Sequence, residues 1–517
     1  MARDWYDAES TSFGRLKAFA RASRVARENG TQLLPVLRNP ARVSTRSNGI
    51  GSDLRPNGFL CQSVMLKLDS AQSPAIVLSV SLTGLATVRC LAEAGVRVVA
   101  AVRDRSEPAV ASRWCHTVDR PAEAEGNAEG IRWLKALGLT LGNRPVVVPC
   151  SDADALWLAE NKAALRPGLR FSETAFSDMH DIVSKERLYA IASALDLRTV
   201  PAITEPTLEQ AREWSTHNSG PYLLKPFYNQ MAKTNLRSKN LLLPSSEALL
   251  DYLERCGSEG TIVQRQMLGG DGHILDCYGL CASHCRPITL ASHRRIRQGP
   301  ANFGTTSYGE IPLRGDEAME SRLFDYTSRL LGGLKYHGIF GIEWLHDRET
   351  GELYLIDFNA RPFSSIGHLH DCGLNLPLLA YRELCGEDLS HVPIRPTLTH
   401  RYWMDALSDA HACKVSGSTS LLAWVRSIAG CRSFAVWNRR DPMPFVGETA
   451  KAAGALWHAL ARRIGSRDGL PATANVAAVL VRNPPPSTKA AYESQSEAAL
   501  DGGKASADKF AASTFGS

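Results

Sequence analysis

Apolar residues in the first third of the chain fall into short runs separated by turns and amphipathic stretches. An apolar strand over Ala75–Val80, a helix over Leu85–Ala94 and a second strand over Arg97–Val102 make a β-α-β unit. The segment PVVVPCSDADALWLAEN adds another strand and helix. This alternation predicts a parallel, Rossmann-like sheet that ends near residue 178.

Beyond that point the pattern changes to mixed strands and helices. HDIVSKERLYAIASALDLRTVPA predicts one amphipathic helix that ends before a proline, and EAMESRLFDYTSRLLGGL predicts a helix that ends at its glycines. PYLLKP and TIVQRQ predict strands, as do YHGIFGIEWLHD and GELYLIDFNARPF. From Pro484 the chain is rich in proline, serine, alanine and glycine, which favours disorder.

Three polar residues alternate through the apolar run LYLIDFNARPF. Side chains of a strand alternate between its faces, so Asp357, Asn359 and Arg361 share one face. A three-residue ETG loop would pair positions whose numbers sum to 700, which places Glu343 opposite Asp357. Two opposed carboxylates repel unless a cation lies between them, and with Asn359 they form a donor set for Mg²⁺ or Mn²⁺. The alternative is an acidic pair neutralised by Arg361 or another surface cation.

Composition and charge argue against a membrane-spanning protein and against a nucleic-acid-binding protein. The chain is 44% hydrophobic and 22% charged, and it has no run of about 20 apolar residues that would span a membrane. Residues 1–70 carry +5 of the net charge of +6, so the nearly neutral remainder gives no reason to expect nucleic-acid binding. This arginine-rich leader lacks the apolar core of a secretory signal. Twelve cysteines without CxxC pairs favour reduced thiols and a cytoplasmic location.

One cysteine cluster, CYGLCASHC, raises the question of a second metal site. Cys277, Cys281 and Cys285 lie close to His284, and soft ligands at this density can bind a metal. Their spacing is not that of a zinc finger or ribbon. Because the three cysteines have the same parity, we favour packing on one strand face.

The arrangement E-x13-D-F-N-A-R-P resembles the metal-binding end of the ATP-grasp superfamily. The resemblance is to its carboxylate–amine ligase-like members, related to biotin carboxylase and the large chain of carbamoyl-phosphate synthase. Lys225 in YLLKP resembles the family's phosphate-binding lysine, and Lys185 in SKERL resembles an earlier lysine that also reaches the nucleotide. The loop after Lys225, FYNQMAKTNLRS, departs from the family because it has no glycine, which argues against a biotin carboxylase proper. Lys233 or Asn235 are candidates to replace its backbone contacts.

The resemblance also implies a nucleotide pocket in IVQRQMLGGD. Backbone groups near Arg265 and Met267 would contact adenine, Gln264 would lie beside it, and Asp271 would meet the ribose. The arginine-rich SHRRIRQGPANFGTTSYGE resembles a hairpin of the family, so Arg294 and Arg297 would bind phosphate or substrate. Arg361 would then lie near the reacting group.

The fold implied is α/β and α+β. A Rossmann-like domain over residues 73–180 is followed by a two-lobed ATP-grasp domain with mixed and antiparallel sheets over 181–390. A cap region over 391–482, a flexible basic leader over 1–72 and a disordered tail over 483–517 complete the predicted organisation.

The resemblance implies an ATP- and Mg²⁺-dependent, ADP-forming ligase. It would activate a small-molecule carboxylate as an acyl phosphate for attack by an amine or similar nucleophile, with neither nucleic acid nor membrane as partner and with a homodimer as a possible assembly. One alternative is a non-catalytic nucleotide-binding module of the same fold. Another is a nicotinamide-dependent oxidoreductase, disfavoured because Ser79 and Ser81 replace the early fingerprint glycines and only Gly84 remains.

Overall fold

The structure is a computed structural model. It describes residues 72–121, 127–226, 240–267, 271–283, 285–299, 304–313, 315–399, 401–417 and 419–465. The chain divides into two compact units: Leu33–Ala453, and a second unit that contains both chain ends and is described only over 454–465. The predicted leader up to residue 71, the glycine-free loop with Lys233 and Asn235, and the predicted tail lie outside the described residues.

A four-stranded parallel sheet forms the amino-terminal part of the larger unit, in the order β3-β2-β1-β4. Its strands are β1 Ala75–Leu78, β2 Val98–Val102, β3 His116–Asp119 and β4 Val146–Pro149. Its helices are α1 Leu82–Ala92, α2 Asn127–Leu141, α3 Asp152–Glu160 and α4 Lys162–Leu165, with a 3-10 turn at Pro108–Ala111. The predicted Rossmann-like sheet is confirmed. The strand order reverses between β1 and β4, which is where open α/β sheets hold their ligands.

The first strand-to-helix turn is tighter than the sequence pattern predicts. β1 ends at Leu78, Ser79 takes the left-handed conformation with a φ of 60°, and α1 begins at Leu82, three residues earlier than expected. A Cβ atom at Gly84 would lie 2.5 Å from the Ser79 carbonyl oxygen. Gly84 is therefore needed for close packing of the helix against the turn.

A second, four-stranded antiparallel sheet has the order β5-β8-β6-β7. Its strands are β5 Ala202–Thr204, β6 Tyr222–Pro226, β7 Leu241–Leu243 and β8 Thr261–Arg265. Helices α7 Leu208–His217 and α8 Ser246–Cys256 cover one face through a core that contains Tyr222 and Leu224. Lys225 lies on the opposite face because it follows Leu224 in the strand.

The largest sheet has seven strands in the order β13-β12-β9-β10-β11-β14-β15, all antiparallel except the last pair. Its strands are β9 Ile274–Cys281, β10 Pro287–Gly299, β11 Thr305–Ile311, β12 Gly338–His346, β13 Leu353–Asn359, β14 Arg401–Met404 and β15 Cys431–Phe434. The remaining helices are α5 Phe176–Val183, α6 Lys185–Ala194, α9 Glu317–Leu334, α10 Ile366–Asp371, α11 Leu376–Leu384, α12 Ala406–Ser416, α13 Leu421–Gly430 and α14 Met443–Gly465. The main core lies between one face of this sheet and α5, α6 and α9.

Two helices differ from the sequence prediction. The single helix expected over residues 180–202 is two helices separated at Ser184, so Lys185 becomes the first residue of α6. Helix α9 runs through the glycines that were expected to end it and stops at Lys335, which has a φ of 48°. A Cβ at Gly333 would lie 2.6 Å from Leu195 Cδ1, so this glycine serves helix packing rather than termination.

The described part of the region beyond residue 391 adds two strands to the large sheet. β14 pairs with β11, and β15 pairs in parallel with β14. Its role as a cap on an acceptor site stays a prediction. Among the described residues, no helix is both long enough and apolar enough to cross a bilayer.

Candidate active site

The hairpin formed by β12 and β13 places Glu343 directly opposite Asp357, as predicted. The hairpin loop, however, is longer than the predicted three residues. The loop contains four residues, 348–351, because Asp347 N–H donates to the Glu352 carbonyl, and pairs near it sum to 699. A bulge at Ile356 restores the predicted register beyond it. Gly351 has the expected left-handed conformation, with a φ of 71°.

Each carboxylate of the opposed pair contacts a basic side chain. Lys185 Nζ lies 3.1 and 3.3 Å from the two Asp357 carboxylate oxygens. Arg295 Nη2 lies 2.8 Å from Glu343 Oε1, which also accepts a hydrogen bond from Asn359 Nδ2 at 3.2 Å. Lys185 and Arg295, rather than Arg361, therefore neutralise the acidic pair.

Arg361 lies just beyond β13 and joins the site to the parallel sheet. Its Nη2 donates to Asn359 Oδ1 at 3.0 Å. Its Nε and Nη2 donate to the two carboxylate oxygens of Asp152, the first residue of α3, at 2.7 and 3.3 Å. Burial alone would lower the pKa of Arg361, yet Asp152 raises it, so the guanidinium is firmly charged.

A buried polar network fixes Arg295 beneath the acidic pair. Asp276 is fully buried and accepts hydrogen bonds from Arg295 Nε at 3.0 Å, Arg295 Nη2 at 2.6 Å and the Tyr278 hydroxyl at 3.1 Å. His293 Nδ1 lies 2.8 Å from the same carboxylate. Burial alone would raise the pKa of Asp276, but Arg295 and His293 hold it well below its ordinary value. Arg295 is therefore positioned rigidly toward Glu343.

Arg294 and Arg297, the arginines that the resemblance implied as phosphate or substrate ligands, lie on the opposite face of the sheet from the acidic pair. In β10 a bulge at Ile296 pairs Arg294 with Glu310 and Arg297 with Tyr308, two residues apart on β11, so both arginines share that far face. Arg294 Nη1 lies 3.6 Å from Glu310 Oε1.

The Arg297 guanidinium is hydrogen-bonded to the carboxyl-terminal region. It donates to buried Asp409 on α12 from Nε at 2.9 Å and from Nη2 at 2.7 Å, and its guanidinium stacks over the Tyr308 ring. Arg295, which lies between Arg294 and Arg297 in the sequence, is the arginine of β10 that contacts the acidic pair.

The second sheet meets the large sheet beside the acidic pair. Lys225 and Gln264 lie on the face of the second sheet that α7 and α8 leave uncovered, and both are buried. Gln264 Nε2 donates to the Tyr189 hydroxyl at 2.6 Å, and that hydroxyl donates to the Ile356 carbonyl at 2.7 Å. Tyr189 thus joins the predicted adenine segment to the strand that carries Asp357.

Two backbone amides of the predicted adenine segment at the end of β8 are already hydrogen-bonded. Arg265 is exposed, and its N–H donates to the Pro201 carbonyl, while Gln266 N–H donates to the Pro221 carbonyl. No backbone partner for the Met267 N–H is present among the described residues. Asp271 begins a 3-10 turn over Asp271–His273, but its side chain, and with it the predicted ribose contact, lies outside the described part.

The chemistry of Glu343, Asp357 and Asn359 fits a hard divalent cation, since the set offers two carboxylates and one amide oxygen on neighbouring strands. Within the described ranges no group of three or more His, Cys, Asp or Glu side chains converges, so a metal here would need the amide oxygen. Asn359 Oδ1 presently faces Arg361.

Two of the clustered cysteines pack in the core. Cys277 and Cys281 are fully buried against the helices under the large sheet, as the favoured packing interpretation predicts. Burial raises the pKa of each thiol to about 12, so neither is reactive at neutral pH. His284 lies outside the described residues.

The sequence contains no simple signal for Arg295, Asp276 or Asp152. Plain alternation would place Arg295 and Arg297 on the same face, and only the bulge at Ile296 separates them. Asp152 is 209 residues from Arg361 and begins the helix that follows β4 of the parallel sheet. The one usable hint for Asp276 was a carboxylate inside the apolar strand ILDCYGLC.

Solved structures share this architecture. One is an N5-carboxyaminoimidazole ribonucleotide synthetase in complex with ADP, with a TM-score of 0.50, 13% sequence identity, and coverage of 64% of this chain and 82% of that chain. A biotin carboxylase from Campylobacter jejuni has a TM-score of 0.49 at 12% identity, covering 64% and 75% of the two chains. An L-amino acid ligase from Bacillus licheniformis has a TM-score of 0.48 at 13% identity, covering 64% and 79%.

No family model matches the sequence. At 12–13% identity these likenesses show the fold alone. The chain has the fold of the N5-carboxyaminoimidazole ribonucleotide synthetase.

Proposed function

We propose that this chain, with its ATP-grasp fold, is an ATP-dependent, ADP-forming ligase that activates a carboxylate for attack by an amine or similar nucleophile. The observation that carries the proposal is the convergence of Lys185, Glu343, Asp357, Asn359 and Arg361 at one edge of the large sheet. These residues come from three separate parts of the chain. An edge strand with only a solvated polar face would not gather two cations and two carboxylates in this way.

The nucleotide would lie between the second sheet and the edge of the large sheet. Lys225 and Lys185 would hold its phosphates, and the Met267 N–H and Arg265 carbonyl would contact adenine, with Gln264 beside the base and Asp271 at the ribose. The bonded amides of Arg265 and Gln266 support this assignment because they leave Met267 as the candidate donor.

Mg²⁺, or Mn²⁺ with the same oxygen ligands, would be held by Glu343, Asp357 and Asn359 and would neutralise phosphate charge during transfer. Lys185 then has no need to neutralise Asp357 and can turn to the phosphates. Arg295 remains fixed by Asp276 and keeps Glu343 oriented.

The reaction follows from the poor electrophilicity of a carboxylate. A substrate carboxylate oxygen attacks the γ-phosphorus, ADP leaves, and the resulting acyl phosphate has phosphate as its leaving group. The amine then attacks the acyl carbon, an amide bond forms, and inorganic phosphate departs. Arg361 would stabilise the charge on the acyl phosphate. The second sheet would exclude water, which otherwise hydrolyses this intermediate.

The test is phosphate release from Mg·ATP in the presence of pooled amino acids and small carboxylic acids. We expect carboxylate-stimulated release by the wild type and its loss in Asn359→Ala. Glu352→Gln is the matched control because Glu352 belongs to the same hairpin but pairs with Arg198 and Arg322. Equal release by wild type and Asn359→Ala would contradict the assignment of this site.

A second candidate is a nucleotide-binding module without ligase activity. The absence of glycine from FYNQMAKTNLRS favours it, because backbone amides in a glycine-rich loop ordinarily cradle the transferred phosphate. A rise in melting temperature with Mg·ATP, without phosphate release in any pool, would support this candidate over the ligase.

A further inference from the structure

The Asp152 carboxylate binds Arg361 through two hydrogen bonds, as a substrate carboxylate or phosphate would. Its two carboxylate oxygens accept hydrogen bonds from Arg361 Nε at 2.7 Å and Nη2 at 3.3 Å. This paired geometry is the one in which a guanidinium binds a carboxylate or a phosphate ligand. Asp152 follows β4 at the carboxyl edge of the parallel sheet, where the strand order reverses.

The donors of Arg361 are nearly all in use while Asp152 is bound. A guanidinium has five N–H groups. Two donate to Asp152, another Nη2 N–H donates to Asn359 Oδ1 at 3.0 Å, and Nη1 donates to the Pro362 carbonyl at 2.9 Å. An incoming anion would therefore find one donor at most. The Nε–Nη2 side of the guanidinium, where two N–H groups point the same way, is open to that anion only if Asp152 leaves.

The pair is accessible enough to open. The side chains of Arg361 and Asp152 are 15% and 14% exposed. By contrast, the ion pair between Arg295 and Asp276 is almost completely buried, and Asp276 has two further partners. Exchange of ligands is thus far easier at Asp152 than at Asp276.

The backbone around Asp152 is fixed, so displacement needs only a rotation of its side chain. Ser151 accepts a hydrogen bond from Asp154 N–H at 3.1 Å and caps α3. The Asp154 side chain, 1% exposed, is held by Arg120 at 2.6 Å and by Ser79 at 2.5 Å. These contacts anchor the first turn of the helix on both sides of Asp152.

We propose that Asp152 is a specificity-determining residue whose carboxylate occupies the anion position of Arg361 until a carboxylate or phosphate group displaces it. The proposal rests on the proposed function because it takes Arg361 as the ligand of the reacting anion. An anion displaces Asp152 only if it binds both of the Arg361 donors that Asp152 occupies. Without substrate, Asp152 neutralises the charge of Arg361.

The test is calorimetric titration of the full chain with inorganic phosphate. We expect Asp152→Asn and Asp152→Ser each to tighten phosphate binding about five- to tenfold, because a competing carboxylate is removed. Asp178→Asn is the matched control. Asp178 also lies in the first turn of a helix, α5, so this change removes a similar helix-dipole interaction without touching Arg361.

The same titration with Arg361→Gln added to each Asp152 variant identifies the site. We expect the gain to disappear in the double variants. Unchanged or weaker binding in both single variants would overturn the proposal and make Asp152 a support for Arg361. Tighter binding that persists without Arg361 would overturn it as well. This titration needs no turnover, so its result is independent of whether carboxylate-stimulated phosphate release is observed.

Discussion

The strand register places Glu343 opposite Asp357, and a basic side chain beside each carboxylate offsets their repulsion. Lys185 does so for Asp357, and Arg295 does so for Glu343. The two cations differ in character. Lys185 ends in a single flexible ammonium, whereas Arg295 is clamped by Asp276 at two positions. Lys185 is therefore the cation able to move during a reaction, and Arg295 is the fixed one.

Arg295 and Arg297 give a matched test of which face of the sheet is functional. We expect Arg295→Met to lower carboxylate-stimulated phosphate release about 100-fold, because a preorganised donor beside Glu343 is lost. Arg297→Met removes the bonds to Asp409 on the other face and should leave release within about threefold. Steady-state kinetics of the two folded variants decides the point, and a larger loss in Arg297→Met would contradict the assignment of faces.

Removal of the Asp276 charge should lower the free energy of unfolding. Asp276→Asn leaves Arg295 buried without its main partner and should cost about 3–5 kcal/mol in the free energy of unfolding at pH 7. Arg295 holds the pKa of Asp276 below its unfolded-state value of about 4. The stabilisation is therefore present above pH 4 and is lost as the pH falls further.

Urea unfolding at pH 7 and pH 3 measures this effect. The difference between wild type and Asp276→Asn should narrow at the lower pH. A difference that stays constant would show that the charge of Asp276 does not stabilise the fold.

At the scale of elements, two bulges decide which side chains reach the site. The bulge at Ile356 brings Asp357 opposite Glu343 in spite of the longer loop, and the bulge at Ile296 turns Arg297 away from that face. Hydrophobic alternation predicted the strand of Asp357 correctly, and the resemblance alone implied the hairpin that contains Arg295. Neither could predict the bulges, because an extra residue in a strand depends on its partner rather than on its own sequence.

Helix boundaries show the same limit. The pattern from residue 180 onward has one continuous helical period, and nothing in it marks the break at Ser184 that puts Lys185 at a helix start. Tertiary packing against the edge strand accounts for that break, since Tyr189 and Lys185 both contact β13.

Substitution of Gly351, in a turn, and of Gly309, in a strand, should lower the free energy of unfolding by different amounts. Gly351→Ala should cost about 1 kcal/mol, because its φ of 71° disfavours a Cβ although the space around it is open. Gly309→Ala should cost more, because the new Cβ would lie 2.2 Å from buried His293 Nε2. Chemical denaturation of both variants tests the order, and Gly351→Asn should recover part of the loss at that turn. A smaller cost at Gly309 would contradict the packing of His293.

At the scale of the whole molecule, three sheets meet at one edge strand. The parallel sheet reaches it through Asp152 and Arg361, and the second sheet reaches it through Gln264 and Tyr189. Sequence reasoning predicted the order of these parts along the chain. It could not predict the contacts between them, which join residues from 75 to 209 positions apart.

This arrangement predicts that a bound nucleotide slows hydrogen exchange in two sheets at once. Mg·ADP should slow hydrogen exchange in β6, Tyr222–Pro226, and in β13, Leu353–Asn359, together. Helix α13, Leu421–Gly430, is the internal control because it has no part in the proposed pocket. Hydrogen-exchange mass spectrometry gives the result directly, and protection confined to one of the two strands would contradict a nucleotide held between the sheets.

The central claim is that this chain converts a carboxylate into an acyl phosphate. Hydroxylamine tests it most directly, since it replaces any amine and traps an acyl phosphate as a hydroxamate with release of phosphate. With Mg·ATP and pooled carboxylic acids, we predict hydroxamate formation matched by ADP in the wild type and none in Asn359→Ala. Nucleotide binding without hydroxamate from any carboxylate, or equal amounts in both proteins, would contradict the account.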